Sequence, residues 1–256
     1  MSVNATEFVN GLFNLTGHVG IVTGASRGIG AGIARVLSAA GATLHNFDIG
    51  EPEEAIANMT THTVDLTDAA ATEAAVAAVA GDAGRLDFLI NNAGITHKQR
   101  AEEFDMDRYR KIQQLNLECL FVLCRLCFPY LKKSAHIGRI VNISSMAAHM
   151  GFNGVVPYCM TKSGVLGLTR GLAVEWARDN ILVNSVAPGW FLTKLNEEMF
   201  AKNPDRREAA SKMFVLERFG VPADIGNMML FLLSGASTYL TGQDFAVDGG
   251  ALAYGF

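Results

Sequence analysis

Along this chain, short apolar runs that end in glycine or a polar turn alternate with longer segments of helical period. That alternation constrains the fold more than any other feature. "GHVGIVTGA" reads as a first strand, and "GIGAGIARVLSAAG" then changes to a helical period that stops at Gly41. "ATLHNFDI" and "THTVDL" are the second and third strands, followed by an alanine-rich helix over 67–80. "LDFLINNAG" is the fourth strand, and a long helix around 105–133 leads to the fifth, "GRIVNISSM". A helix over 157–179, a sixth strand "NILVNSVAPG" and a late seventh, "GQDFAVDGG", complete the series.

Strands separated in this way by helices predict a mainly parallel seven-stranded sheet with helices on both faces. No Gly/Ser-rich linker, repeat or low-complexity tract interrupts the pattern, so 1–256 reads as one α/β domain, a doubly wound Rossmann fold. Residues 15–115 would be mainly dinucleotide-binding and 116–256 mainly catalytic. Residues 191–217 form a polar, helical excursion between the sixth and seventh strands. Such an insertion is either a substrate lid or an ordinary surface helix pair.

Lys and Arg total 21 against 25 Asp and Glu, giving a formal charge of -4 without a basic run, so nucleic acid is not an expected partner. Cys119, Cys124, Cys127 and Cys159 do not make a paired CxxC ligand set, and reduced, packed thiols fit a cytoplasmic setting. The first twenty residues lack a basic n-region and a long apolar core, and "MMLFLLSGA" is too short to span a bilayer, so no signal peptide and no membrane partner are expected. The six histidines are scattered without a coherent ligand spacing, so no metal is expected.

"TGASRGIG" follows the first strand and opens the first helix, with glycines at Gly24, Gly28 and Gly30. A backbone without side chains can turn tightly there and approach a pyrophosphate at the helix N-terminus. Ser26, Arg27 and Ile29 belong to the same candidate turn, which is not a P-loop because no Gly-Lys-Ser/Thr follows. Asp48 ends the second strand, 24 residues after Gly24, where a carboxylate can accept both hydroxyls of an adenosine ribose and would repel a 2′-phosphate. Arg27 pulls the other way, but Asp48 lies in the ribose position, so NAD is expected over NADP. Asp65 with Leu66 would flank the adenine, although Asp65 has an equally good capping role. Asn91, Asn92, Ala93 and Gly94 would floor the cofactor or simply form a polar strand-end turn.

"YCMTKSG" sets Tyr158 and Lys162 four residues apart, on one face of a helix. An ammonium beside a phenol favours the phenolate and lowers its proton affinity, so Tyr158 is expected to transfer a proton with Lys162 tuning it and holding the nicotinamide ribose. Ser145, 13 residues before Tyr158 at the end of the fifth strand, would polarise the substrate oxygen. Adjacent strand residues face opposite ways, so only one of Ser144 and Ser145 can enter the site, and the spacing favours Ser145.

Together, Gly24/Gly28/Gly30, "NNAG" 91–94, Asn116, Ser145, Tyr158, Lys162, "PG" 188–189 and "DGG" 248–250 resemble the short-chain dehydrogenase/reductase family over nearly the full length. The resemblance implies reversible hydride transfer between nicotinamide C4 and a secondary alcohol carbon. It implies that Asn116 holds a helix-bound water linking Lys162 to solvent, and that Thr193, after Pro188-Gly189, contacts the nicotinamide carboxamide. An amide-binding backbone at the sixth strand fits Val186 or residues next to Pro188. It further implies a homotetramer with the 105–133 and 158–179 helices at a principal interface.

Substrate selection should come from His97, Lys98, Arg100, His149, Asn153, Trp190 and Phe191, on loops after strands four to six. "GITHKQR" offers an arginine that can grip a carboxylate, or is a solvated face. Trp190 either covers a small substrate or anchors the excursion. "NNAGITHKQR", "ISSMAAHMG", "APGWFLT" and "VDGGALAYGF" are similar to sugar-acid branches of that family, the gluconate 5-dehydrogenases and 2-dehydro-3-deoxygluconate 5-dehydrogenases. The resemblance therefore implies a small polar sugar acid or polyol. The alternatives are a 3-oxoacyl-thioester reductase using NADPH and a non-catalytic dinucleotide-binding regulatory protein.

Overall fold

A computed structural model describes residues 4–193, 197, 201, 204–212 and 214–254. The strands are β1 Val19–Thr23, β2 Thr43–Asp48, β3 Met59–Thr63, β4 Phe88–Asn91, β5 Gly138–Ile143, β6 Ile181–Pro188 and β7 Asp244–Val247. They form one sheet in the order β3-β2-β1-β4-β5-β6-β7. All six pairings are parallel. The order reverses between β1 and β4, and a crevice at the carboxyl ends of those two strands is where this architecture receives a ligand.

The helices are α1 Ala5–Phe13, α2 Gly28–Ala39, α3 Ala69–Ala83, α4 Met106–Gln113, α5 Cys119–Leu131, α6 Val156–Trp176, α7 Pro204–Ser211 and α8 Pro222–Leu233. One apolar core lies between the sheet and α3, α5 and α6, built on Ile21, Val76, Leu89, Leu123, Ile140 and Leu172. A second core lies on the opposite face with α2 and α8, built on Val22, Ile33, Leu37, Ile90, Val141 and Met229. Both faces of the central strands are covered, so every residue of β4 and β5 is buried. α2 and α8 touch through glycine: a Cβ on Gly32 would stand 2.2 Å from the Pro222 side chain, and one on Gly226 2.6 Å from Val36.

The expected alternation is present, with local differences. β3 starts two residues earlier than "THTVDL" and ends at Thr63, before the turn in which the Asp65 side chain folds back on Thr67. β5 stops at Ile143, short of the serines, because Ser145 caps a 3-10 turn over Met146–Ala148. The helix expected over 105–133 contains a π turn at Gln114–Glu118. α1 and α8 were not anticipated. In the 191–217 excursion the helical expectation is met by α7, and residues 194–196, 198–200, 202, 203 and 213 lie outside the described residues. Among the described residues one helix, Met106–Leu131, is long and apolar enough to cross a membrane by length and composition. It buries Cys119, Leu120, Leu123, Cys124, Cys127 and Leu131 inside the fold, which accounts for its composition.

Arg139 on β5 is buried and bonds only uncharged oxygens: Leu232 O at 2.9 Å, Ser234 O at 2.9 Å, and Ser237 Oγ at 2.8 Å and O at 3.2 Å. These carbonyls end α8, where backbone acceptors lack helical partners and the helix dipole favours a cation. Burial lowers the guanidinium's proton affinity to about 10, so it stays charged at neutral pH. Arg139→Leu should therefore cost about 3 kcal/mol by stranding several buried acceptors. Urea unfolding checks this: the midpoint falls with the slope unchanged, and an unaltered midpoint contradicts it.

Candidate active site

The turn after β1 is built by backbone geometry. Gly24 and Gly28 take φ of +69° and +58°, which other residues rarely adopt. Gly30 is required for another reason: its Cβ would lie 2.1 Å from Gly24 O and 2.6 Å from Asn92 Nδ2. Asn92 Nδ2 donates to Thr23 O (2.9 Å) and Gly24 O (3.0 Å), while Thr23 Oγ1 accepts from the N–H groups of Asn92 (3.0 Å) and Ala93 (2.9 Å). The "NNAG" segment thus clasps the glycine turn across the crevice. Asn91 is buried and donates to Asn142 Oδ1 at 2.8 Å, a contact between strand ends.

α2 begins at Gly28 with no side-chain cap from Arg27, which is exposed, so its first-turn N–H groups remain open to an anion. Asp48 Oδ2 accepts from Ser26 N and Oδ1 from Gly50 N, each at 3.1 Å, which fixes the carboxylate beside the turn. Ser26 is held further by Gly50 O and Asn46. Ile29 packs partly against the α2 core. The open helix start, the Cβ-free cradle and the carboxylate after β2 fit a dinucleotide. Thr193 stands over this turn, its methyl 3.6 Å from where a Gly28 Cβ would be.

Asp65 Oδ1 accepts from Thr67 N and Oγ1, and these bonds hold its carboxyl below the usual range. Leu66 buries its side chain in the α3–α5 core, and Leu66 O accepts from Cys119 Sγ. The Leu66 side chain is thus core, the Asp65 carboxylate closes a local turn on Thr67, and α3 is capped by Asp68.

At the other side of the crevice, α6 presents Tyr158 and, one turn on, Lys162. Lys162 is 3 % exposed; Nζ donates to Ile143 O at 2.7 Å and lies 5.6 Å from the centre of the Tyr158 ring. Asn116, in the π turn, is fully buried. Its Oδ1 accepts from Ile95 N and its Nδ2 donates to Ile95 O, both at 2.8 Å, with Thr161 Oγ1 at 3.4 Å. Gly94 is confined here, since a Cβ would meet Asn116 Oδ1 at 3.2 Å and Lys162 Nζ at 3.8 Å. Ser144 Oγ is buried and bonded to Asp244 Oδ1 at 2.7 Å, whereas Ser145 interacts with the Tyr158 phenol. Ser145 Oγ also accepts from Ala147 N at 3.1 Å. The two serines diverge, as expected, although it is the turn after β5 that directs Ser145.

The electrostatic balance corrects one expectation. Burial raises the proton affinity of Tyr158, and the Ser145 hydroxyl offsets that only in part. Lys162 falls by burial from 10.5 to about 8. In the protein alone the amine therefore does not hold the phenol low. It lies below the ring, bonded to a carbonyl, and both charged forms are disfavoured by the same desolvation.

Most of the residues expected to select substrate have protein partners outside that set. Arg100 pairs with Glu102 at 2.5 Å, so its fork is occupied by a neighbouring carboxylate. His97 Nδ1 lies 3.3 Å from Arg108 Nη1 and its ring meets Phe104 edge-on. Lys98 lays its stem against Gly154. His149 Nε2 is 2.6 Å from Asp244 Oδ2, while Asn153 is exposed. Trp190 packs into a small cluster with Met146, Phe214, Ala251 and Phe219, the anchoring alternative. Phe191 is buried and bridges to Gly220. Pro188 ends β6, and Gly189 N donates to Val247 O at 3.0 Å. A cavity of about 420 Å³ lies between Trp190, Leu216, Arg218 and Asp248, beside rather than at the Ser145–Tyr158 pair. Thr23, Asn46 and Asp244 were missed in sequence; a carboxylate within the apolar "DFAV" strand was the available signal.

Residues 24–251 match the family described as Enoyl-(Acyl carrier protein) reductase. A 2-dehydro-3-deoxy-D-gluconate 5-dehydrogenase of Dickeya dadantii is 36% identical over 248 residues, covering 94% of this chain and 98% of that one. D-threitol dehydrogenase of Mycolicibacterium smegmatis is 35% identical over 247 residues, covering 93% and 94%. The crystal structure of a gluconate 5-dehydrogenase from Burkholderia cenocepacia, in complex with NADP and tartrate, superposes with a TM-score of 0.89 at 30% identity, covering 96% and 100%. The chain belongs to the short-chain dehydrogenase/reductase family, an NAD(P)-dependent oxidoreductase class acting on CH–OH and keto groups.

Two outcomes follow. Gly30→Ala should abolish NAD and NADP binding in fluorescence titration while the fold persists by circular dichroism, because the new methyl displaces Gly24 O; retained binding contradicts the cradle. For Lys162, the unfolded chain keeps its proton up to 10.5 while the folded one loses it near 8, so this group opposes folding by about 3 kcal/mol at pH 7. Its contribution makes stability rise between those pH values. Lys162→Met should melt no lower than wild type at pH 7, with any advantage shrinking toward pH 10. A lower melting temperature at pH 7 would show that the amine is a net stabiliser.

Proposed function

We propose that this chain is an NAD-dependent dehydrogenase/reductase of a small polar sugar acid or polyol. The observation that carries the reading is the buried Lys162 amine packed under the Tyr158 ring, with Ser145 against the phenol and the glycine turn across the same crevice. Tyr158 gives or takes the hydroxyl proton, and Ser145 orients and polarises the substrate oxygen. Lys162 holds the nicotinamide ribose, and Asn116 keeps the exit of β4 fastened to α6 and supports a water path to Lys162. When bound, the oxidised cofactor accepts a hydride and adds the positive charge that the buried phenol lacks.

The cofactor set is Gly24, Ser26, Arg27, Gly28, Ile29, Gly30, Asp48, Asp65, Leu66 through its backbone, Asn92, Ala93, Gly94, Tyr158, Lys162, Pro188, Gly189 and Thr193. Asp48 supports NAD, because its carboxylate is fixed beside Ser26 and would repel a 2′-phosphate. Exposed Arg27, together with the NADP found in the Burkholderia relative, favours the second reading of an NADPH-dependent reductase. The names of the relatives support a sugar acid or polyol. With Arg100 and His97 engaged, carboxylate recognition falls to Lys98 and Asn153, supported by their exposure.

The excursion at 191–217 serves as the lid, a reading supported by Thr193 over Gly28 and Trp190 in its apolar cluster. Exposed Phe121 on α5 and Val174 on α6 support a homotetramer that joins these helices. The buried, free thiols support a cytoplasmic setting.

A matched NAD and NADP screen over uronates, gluconate-like acids, neutral polyols and 3-hydroxyacyl thioesters tests the reading, with NAD and the sugar acids or polyols expected to win. Turnover of thioesters with NADP alone contradicts it. Tyr158→Phe should still bind cofactor through the rest of the set and lose about 10²–10⁴-fold in kcat.

A further inference from the structure

We propose that Asp244 is a positioning residue for Ser145. One carboxylate at the start of β7, 13 % exposed, reaches both ends of the segment that carries that serine. Its Oδ1 accepts from Ser144 Oγ at 2.7 Å, the residue immediately before Ser145. Its Oδ2 meets His149 Nε2 at 2.6 Å, the residue that ends the 3-10 turn begun by Ser145. The same Oδ1 accepts from Ser185 Oγ at 2.5 Å, and Ser185 is the residue paired with Asp244 in the β6–β7 register. Residues 144–149 are therefore tied at both ends to one rigid point on the sheet.

Ser145 has reason to need the tether. It lies beyond the last paired residue of β5, and its hydroxyl already has a local partner in Ala147 N. Its direction is set by the turn and not by a strand. A carboxylate suits the task because it accepts only, and it has enough lone pairs for two hydroxyls and an imidazole N–H at once. An asparagine could keep both hydroxyl bonds and would present an amide to His149. Holding a reacting group to within about 0.5 Å requires such support, since a displacement of about 1 Å can cost about 10²-fold in rate.

The proposal rests on the reading that Ser145 orients the substrate oxygen. The experiment compares Asp244→Ala, Asp244→Asn, His149→Ala and Ser145→Ala in the full chain. Crystal structures are combined with kinetics on the best substrate of the screen, with NAD. Asp244→Ala should shift residues 144–149 by about 1 Å and lower kcat about 10- to 100-fold. NAD affinity should stay within about twofold, because the glycine turn is untouched. Asp244→Asn should recover most of kcat, and His149→Ala, which cuts one tether, should fall between. A role in stability alone would lower the melting temperature and leave kcat per folded molecule unmoved, which overturns the proposal. So does an unmoved segment in Asp244→Ala or, where that variant does not fold, in His149→Ala. If Ser145→Ala itself keeps wild-type kcat, the assignment of Ser145 fails instead, and the displaced segment still reports the tether.

Discussion

Parallel pairing obliges every strand of this sheet to end at the same edge, and the chemistry of the molecule depends on that constraint. Thr23, Asp48, Asn92, Ser145 and Pro188 come from five different strands or their exits, yet all gather along one rim. The reversal of order between β1 and β4 opens that rim where the glycine turn meets the "NNAG" segment. Thr23 and Asn92 close the gap between them with four hydrogen bonds, so the crevice is braced before any ligand arrives.

The second half of the site is a problem of solvation. Lys162 is carried into the interior by α6, and among the described residues its ammonium bonds one carbonyl and no carboxylate. Tyr158 is half-buried, and desolvation of its hydroxyl raises its proton affinity. Two groups that would each prefer water are held in contact by the packing of a long helix on the apolar core that it shares with α3 and α5. Protein stability is given up locally to hold them, as is common where a fold places reactive groups. Desolvation alone therefore leaves the Tyr158 phenolate less accessible than that of a free tyrosine.

Much of this was legible in the sequence because it depends on period and on backbone rules. Alternating apolar runs specify parallel strands, and glycines at a strand-to-helix junction specify a turn that side chains would block. A four-residue spacing puts Tyr158 and Lys162 on one face. What was not legible depends on partners brought together from afar. Arg100 looked free beside "NNAG", but Glu102 two residues on occupies it. His149 looked like a substrate ligand, while its partner Asp244 lies 95 residues away on the edge strand. The sign of the Tyr158 shift was misjudged because spacing reports which groups meet and not how much water they lose.

Burial raises the proton affinity of the Tyr158 phenol in the free protein, and the charge of an oxidised nicotinamide should lower it. Ultraviolet difference titration of tyrosinate, in the free and NAD-loaded protein with Tyr158→Phe as reference, tests it directly. The Tyr158 step should lie above the ordinary tyrosine range in the free protein and move to lower pH with NAD. A step at the same pH in both forms, or one that persists in Tyr158→Phe, contradicts it.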